Sequence, residues 1–432
     1  MDESERADLR LPRTRHPARC PRRILSRCRV VPPLQCPKRV GRRRTQRRSL
    51  TGTLYVSDYV YFDHNATTPV DDRVLAAMAP YWRERCGNPS SVHRAGRLAR
   101  QGLDEARLDI ATRCGVAPGS VVFTATGSEA DNLALTGLIP RMKHRRVAVS
   151  ALEHPAVLEA ALRLRGLGIA VEVIGATSSG QVDLEDLARI LQTPTDLVSV
   201  MAANNETGVI QPLDEVAGLV AKAGALLHVD AVQWPGKQRG KLADLPGDLV
   251  TLASHKIYGP KGAAALVLRK PLVIEAQIVG GPHERRRRAG TENVAAIVGF
   301  AKALALVEGQ GDHDLSRLAA WRDDLDRLAL DLGLIVAGQG SPRLVNTTCW
   351  VMPQIHGETL LMKLDLAGFA VSSGSACSSG AVKPSPVLQA MGFSQEAAKC
   401  SIRISLGRET TSGELDRFSR VLPGIIAALR GG

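Results

Sequence analysis

Aromatic residues are scarce in this chain: Phe, Trp and Tyr make up 3% of its 432 residues. Its interior must be filled by Ala, Leu, Val and Gly, and before Tyr55 there is no ring on which a nucleic-acid base could stack. Long apolar runs are missing as well. No stretch approaches the ~18 uninterrupted apolar residues of a membrane span, and the N-terminal region lacks the apolar core of a secretory signal. No membrane partner is expected. Cysteine is sparse and irregular. Cys20, Cys28 and Cys36 lie near the N-terminus; Cys86, Cys114, Cys349, Cys377 and Cys400 are scattered through the rest. The odd number outside the N-terminal region, five at loose spacing, excludes a disulfide framework and fits a reducing, cytoplasmic location. The regular Cys20-x7-Cys28-x7-Cys36 spacing is too wide for the usual structural zinc pairs, two to four residues apart. No residue set is read as a resident metal site.

Acidic residues are absent from 9 to 57, and that absence explains the net charge of +13. Residues 1–50 carry 16 basic and 4 acidic side chains, whereas the other 382 residues are nearly balanced, at +1. A uniformly basic nucleic-acid protein is therefore excluded. Residues 1–53 are expected to be a disordered basic tail or a mis-assigned N-terminal extension. There is no Met between Met1 and Met78, and a start near Leu54 or Val56 would place the whole tail outside the protein. The alternative from another functional class is a nucleic-acid-binding protein acting through this tail; nucleic acid is not the expected partner of the neutral body.

From Tyr59 onward, short β-rich runs alternate with Ala/Leu/Arg-rich stretches. Strands are predicted at Ser120–Thr124, Arg146–Ser150, Val171–Ile174, Leu197–Ala202, Leu226–Asp230, Leu249–Ala253 and Ala264–Leu268. Helices are predicted at Glu129–Ile139, His154–Leu164, Leu184–Leu191 and Leu213–Ala223. This alternation predicts an α/β fold with a mostly parallel sheet flanked by helices, whose sites gather at the carboxyl ends of strands. After about residue 310 the pattern changes. A long helix at Leu315–Leu332, strands near Leu334–Ala337, Leu344–Met352 and Phe369–Ser372, and helices near Glu358–Ala367 and from Ser412 predict a smaller α+β domain. The expected division is 70–312 for the large domain, with 54–69 and 313–432 forming the small one.

Two of the predicted strands end in complementary chemistry. Leu249–Ala253 leads into Ser254-His255-Lys256, and Leu226–Asp230 ends in a carboxylate. A lysine able to form a Schiff base, and an Asp able to keep a pyridinium nitrogen protonated, are the pair that pyridoxal phosphate requires. A phosphate cradle is predicted where Ser120–Thr124 runs through Ala125-Thr126-Gly127 into a helix starting near Ser128.

These residues belong to a longer series. It comprises Asp63-His64-Asn65-Ala66-Thr67-Thr68-Pro69, Gly87-Asn88-Pro89-Ser90-Ser91-Val92-His93, Ser150-Ala151-Leu152-Glu153-His154-Pro155 and Asn204-Asn205-Glu206-Thr207-Gly208. Further along stand His283-Glu284-Arg285, Arg288-Ala289-Gly290-Thr291-Glu292-Asn293, Gly374-Ser375-Ala376-Cys377-Ser378-Ser379-Gly380 and Ser401-Ile402-Arg403-Ile404-Ser405-Leu406-Gly407-Arg408. In that order they resemble the cysteine desulfurases of the NifS/IscS type, within the class V aminotransferase group of fold-type I pyridoxal phosphate enzymes. The resemblance runs from about Tyr61 to Thr411.

The resemblance implies removal of sulfur from L-cysteine, giving alanine and a persulfide on Cys377. It makes Lys256, Cys377 and His154 the catalytic residues: Lys256 holds the cofactor and then acts as base on Cα, while His154 stacks on the ring. Asp230 pairs with the pyridinium N–H, and Asn205 and Gln233 bond the phenolic oxygen. Gly127, Ser128 and His255 cradle the phosphate, with Thr291 of the neighbouring subunit, which implies a homodimer. Arg403 clamps the substrate carboxylate beside Asn65 and Asn205. Cys377 is also a candidate transient iron–sulfur ligand. The implied acceptor of sulfur is an iron–sulfur scaffold or another carrier, such as a tRNA-thiolation enzyme. Cys86, Cys114, Cys349 and Cys400 are read as structural.

Three departures from the family pattern bear on phosphate binding. Thr126 replaces a glycine and is expected to alter the loop backbone. Ala253 replaces a serine, so that contact is lost or passes to Ser254. The Arg285–Arg288 run is more basic than usual. A selenocysteine lyase or C–S lyase on the same fold is the alternative enzyme, and Cys377 discriminates.

Overall fold

The computed structural model describes residues 59–373 and 383–431. The tail and its cysteines, and the segment carrying Cys377, lie outside the described residues. The described residues belong to one unit, spanning 55–432.

The chain enters through β1 (Val60–Tyr61) and, after two helices at Asp72–Arg83 and Arg94–Arg113, builds a seven-stranded sheet. Its strands are β2 (Val121–Thr124), β3 (Arg146–Ser150), β4 (Ala170–Ile174), β5 (Leu197–Ser199), β6 (Leu226–Asp230), β7 (Leu249–Ala253) and β8 (Ala264–Leu268). The order across the sheet is β2-β8-β7-β6-β5-β3-β4. All neighbours are parallel except β8, which runs antiparallel to both β7 and β2.

These strands read as continuous apolar runs because both faces are covered. Val121, Phe123, Leu227, Val229, Val250 and Leu252 point to one face, against the helices Asp72–Arg83, Arg94–Arg113 and Val294–Glu308. Val122, Val147, Val149, Leu249 and Leu266 point to the other, against Gly127–Thr136 and Pro155–Arg165. The alternation is the period of two that a strand imposes.

A second sheet, ordered β12-β13-β10-β9, is formed by β9 (Ile335–Val336), β10 (Thr347–Val351), β12 (Ser372–Ser373) and β13 (Ser401–Ser405). β11 (Phe369–Ala370) pairs instead with β1, in parallel. Val60 and Phe62 thereby join a core with Trp350, Phe369 and Phe418. Few aromatic rings exist in the chain, and several are concentrated here: Phe418 lies 5.7 Å from Phe62, 5.2 Å from Phe369 and 6.2 Å from Trp350 between ring centroids. Truncating such a ring to Ala costs about 3–5 kcal/mol. The Asp63–Ser405 bridge continues the β1 path alongside β13. This path carries Asn65 to the carboxyl edge of the large sheet.

The predicted strands at Arg146–Ser150, Leu226–Asp230, Leu249–Ala253 and Ala264–Leu268 have the observed bounds. The run at Leu197–Ala202 is regular strand only to Ser199, although Val200 N and Ala202 N still donate to His228 O and Asp230 O of β6 at 3.1 and 2.8 Å before the Asn204–Gly208 turn. The helix expected from Glu129 starts at Gly127. Its cap is Thr126, and not Ser128: the Thr126 hydroxyl accepts from Glu129 N at 3.0 Å.

Candidate active site

β6 and β7 are adjacent, with Asp230 opposite Thr251. Asp230 is the last residue of β6. β7 ends at Ala253, and one tight helical turn, Ser254–Lys256, then delivers Lys256 to the same edge. The Lys256 Nζ donates to Asn65 O at 2.7 Å and Ala66 O at 2.8 Å. Burial and the Arg403 charge lower its pKa to about 8, against the opposing pull of Asp230 and Asp63. The Asp230 carboxyl is pushed up to about 6 by burial; a hydrogen bond from Val232 N and the Lys256 charge hold it from rising further. An amine and a carboxyl with pKa values drawn toward neutrality, on neighbouring strand ends, are a signature of chemistry.

Around this pair runs a set of hydrogen bonds centred on Asn65. Its Nδ2 donates to Thr347 Oγ1 at 2.9 Å and to Asn205 O at 3.2 Å. Its backbone carbonyl also accepts from Gln233 Nε2 at 3.0 Å. Arg403, buried in the middle of β13, donates to Asp63 Oδ1 at 2.6 Å and to Asn205 O at 3.2 Å, and its Nε has no protein partner. The sequence-predicted residues Asn65, Asn205, Gln233, Lys256 and Arg403 are thus brought together by hydrogen bonds.

β2 feeds a helix N-terminus at the same edge. Thr126 has φ −146° and ψ 159°, ordinary extended backbone, so replacing glycine there does not distort the loop. The expected alteration of the loop is not found. A Cβ on Gly127 would sit tightly against Val232 Cγ2, at 3.2 Å, and in ordinary contact with Ala253 Cβ, at 3.5 Å. The bare Gly127 and exposed Ser128 present first-turn backbone N–H groups, which suit an anion. Glu129 braces this loop, accepting from Ala125 N at 2.9 Å and pairing with Arg288 at 2.8 Å. Arg287 donates to Gly119 O at 2.7 Å, so part of the Arg285–Arg288 run is structural bracing.

His154 caps the helix Pro155–Arg165, its Nδ1 accepting from Ala156 N at 3.1 Å. That bond fixes the proton of the neutral ring on Nε2. Its surroundings and the Lys256 charge lower its pKa. His255 is also depressed, to about 4, by burial and the nearby lysines, and its Nδ1 lies 3.2 Å from Thr67 Oγ1. Ser254 is fully buried and its hydroxyl has no partner; it faces Gly259, where an added Cβ would lie 2.0 Å away. Thr291 is exposed, before the helix Val294–Glu308, and no described hydrogen bond joins it to the Lys256 cluster. Burial pushes the Cys114 and Cys349 thiols up to about 12, which keeps them protonated and inert. Cys86 is exposed, so packing does not account for it as it does for Cys114, Cys349 and Cys400. Among the described residues, no group of three or more His, Cys, Asp or Glu is placed to hold a metal.

Several buried ionisable residues near this site escaped the sequence reading. Lys237 donates to Gln233 Oε1 and Asn65 Oδ1. Asp131 and Glu153 are held well above the carboxylate range, chiefly by burial and then by the Asp230 charge. Glu206 accepts from Ser385 Oγ at 2.5 Å. Glu153, Glu206 and Lys237 stand within or beside recognised strings. Nothing in a string says that a charged side chain turns inward, so only their position next to motif residues could have signalled them.

The class-V aminotransferase family matches residues 60–418 of this chain. Cysteine desulfurase IscS 1 of Archaeoglobus fulgidus is 40% identical over 373 residues, covering 86% of this chain and 97% of the relative. A solved NifS-like protein is 36% identical with a TM-score of 0.80, over 86% of this chain and all of the other. SspA, solved in complex with cysteine, is 27% identical with a TM-score of 0.72, over 82% of this chain and 100% of that one.

Proposed function

The chain belongs to the class-V aminotransferase family and is a cysteine desulfurase of the IscS/NifS type; from that premise we propose how its residues divide the work. The cofactor is pyridoxal phosphate. The observation that carries this is the placement of Lys256 and Asp230 at the ends of adjacent strands, buried and within each other's electrostatic field, beside a helix N-terminus that begins at Gly127. A reactive amine, a carboxylate for a ring nitrogen and free backbone N–H groups for a phosphate fit that molecule.

When bound, the cofactor supplies an electron sink for the substrate Cα. Lys256 holds it and, once released, takes the Cα proton of L-cysteine; with a pKa of about 8 its amine is available as a base near neutral pH. Asp230 holds a proton on the ring nitrogen. Gln233 and Asn205 would bond the phenolic oxygen, and His154, its Nδ1 occupied by the helix cap, would offer its ring face to the cofactor. Gly127, Ser128 and His255 hold the phosphate, with Ser254 buried beneath the turn that carries Lys256. Arg403 receives the substrate carboxylate beside Asn65, exchanging part of its contact with Asp63 for it. The Cys377 thiolate attacks the substrate sulfur. A sulfur–sulfur bond forms, the Cβ–S bond breaks with its electron pair left on carbon, and protonation of Cβ together with return of a proton from Lys256 to Cα gives alanine.

The same reading makes the protein a homodimer in which the exposed Thr291 reaches the neighbouring phosphate. It places the two cores in a large domain, 70–312, and a small one formed by 54–69 and 313–432. The persulfide sulfur passes to an iron–sulfur scaffold or another acceptor protein. Among the described residues no single helix is long and apolar enough to cross a membrane, and we place the enzyme in the cytoplasm.

The test is spectroscopic and chemical. Purified protein with pyridoxal phosphate should show the visible absorbance band of a lysine-bound cofactor, and Lys256→Ala should abolish it. A wild type that stays colourless sinks the assignment. Cys377→Ser should keep the band and lose sulfide release from L-cysteine; undiminished release would point to a lyase that needs no thiol.

A further inference from the structure

Lys237 is a buried lysine to which the chemistry above gives no task. It follows Gln233 by four residues and is pinned at both backbone ends: its N–H donates to Trp234 O at 3.2 Å, and its carbonyl accepts from Val345 N at 3.1 Å. The side chain is 6% exposed. Its Nζ meets no carboxylate within ion-pairing distance among the described residues. It donates instead to two side-chain carbonyls, Gln233 Oε1 at 2.5 Å and Asn65 Oδ1 at 3.1 Å. Burial, Lys256 and Arg403 all disfavour its charge. Such an amine is costly to bury, and a methionine of similar length would pack there at lower cost.

The bonds show what the amine accomplishes. A primary carboxamide can present either its oxygen or its NH2 in a given direction, and the two ends are nearly the same size. Lys237 offers hydrogens toward both amides, so each must turn its oxygen to Nζ. Gln233 then points Nε2 the other way, where one hydrogen reaches Asn65 O at 3.0 Å. The second Nε2 hydrogen is left for a ligand. Asn65 likewise turns Nδ2 toward Asn205 O and Thr347 Oγ1. The Asn65 backbone carbonyl that receives Gln233 is also the acceptor of Lys256 Nζ, at 2.7 Å. Lys237 is therefore joined to the reactive lysine through one intervening residue.

We propose that Lys237 is a positioning residue of the cofactor site: it orients the amides of Gln233 and Asn65 so that Gln233 presents N–H, and not C=O, to the group that Lys256 binds. The proposal rests on the pyridoxal phosphate reading. An acceptor turned toward an anionic phenolic oxygen would repel it, whereas a donor holds it.

Titration of apoprotein with pyridoxal phosphate, followed by absorbance, tests this through a double-mutant cycle. Lys237→Met should weaken cofactor binding about tenfold, the equivalent of one hydrogen bond to a charged group. Gln233→Ala should weaken it by a similar factor. The double variant should lose no more than about twofold beyond Gln233→Ala alone, because both changes remove one interaction. The apoprotein of Lys237→Met should melt no lower than wild type. A merely structural lysine gives another pattern, with binding unchanged or the two single losses multiplying, and either overturns the proposal. If Lys237→Met does not fold, Lys237→Gln carries the comparison, since it adds an acceptor and frees the amide to turn; failure of both to fold would make Lys237 structural and also overturns it. A wild type that binds no pyridoxal phosphate removes the cofactor reading, and the proposal falls with it; a wild type that binds, beside a Lys237→Met variant that binds equally well, removes the proposal alone.

Discussion

Two buried regions flank β6, and both are rich in ionisable groups. At the carboxyl edge, Asp230 faces Lys256, accepts from Val232 N and is held at about 6. Behind it, Asp131 and Glu153 each keep one oxygen without a partner, and both are pushed well above the carboxylate range. His228 lies between β5 and β7 neighbours, 2.8 Å from Ser199 Oγ and 3.0 Å from Thr251 Oγ1, and burial lowers it to about 3. All are enclosed to the same degree. Burial disfavours the charge of each carboxyl, and Glu153, like Asp230, accepts from a backbone N–H, here Met201 N at 2.6 Å; what sets Asp230 apart is the Lys256 charge. In the rear cluster burial disfavours charge with no cation set against it; at the edge Lys256 opposes that effect.

Substituting the two aspartates in parallel is the strongest way to break this contrast. Asp230→Asn should lower sulfide release by about 10²–10⁴-fold, the scale of a lost acid–base function. Asp131→Asn removes a carboxyl whose charged form burial disfavours, and its activity should stay within about twofold of wild type. Equal losses in the two variants would show that the rear cluster is ionised as well.

Lys256 sharpens the comparison through pH. Only the neutral amine can bond an aldehyde. Its pKa is lowered to about 8, so the rate of cofactor uptake by apoprotein should climb as pH rises to about 8 and level off beyond. Stopped-flow absorbance reads this, and a rate that does not change between about pH 6 and 9 contradicts it.

The smallest effect concerns Glu206, which lies near the edge but lacks a direct cation. Burial pushes it from 4.5 up to about 7, while Ser385 and Arg403 pull it down. Between those values the folded chain keeps a proton that the unfolded chain releases. The stability this group contributes is full below about 4.5 and is lost as pH rises to about 7. Glu206→Gln removes the titration while leaving an acceptor for Ser385. The urea-unfolding curve of its apoprotein should vary less over that window, and near pH 8 it should exceed wild type by about 1–3 kcal/mol. A wild-type stability that rises over the same window reverses the sign and refutes this.

Much of the site was legible as text because its residues sit on short strings whose function depends on local geometry. A lysine one tight turn past an apolar strand, and an aspartate at the end of another, can be read from period and punctuation. So can the helix N-terminus, expected near Ser128 and found at Gly127, since Thr126 and Ser128 are both good caps. The helix Val294–Glu308 offers no such signal. It is apolar almost all round because it is buried between other helices, so no polar face marks its period.

Composition and order alone determined that the charge belongs to the tail and that the body is α/β; the resemblance of the motif series added that Lys256, Asp230 and Arg403 belong to one enzyme family. Those features are written in sequence order, and short-range rules suffice to read them. Only the tertiary structure decided that β6 and β7 are neighbours, that Asn65 arrives from the first strand to meet Lys256, and that Lys237 turns inward to hold Gln233. Contacts between residues 65, 237 and 256 depend on which strands pair and which faces are covered. Desolvation, which sets the charge of Asp131, Glu153, Glu206 and Lys237, exists only once the chain has closed around them.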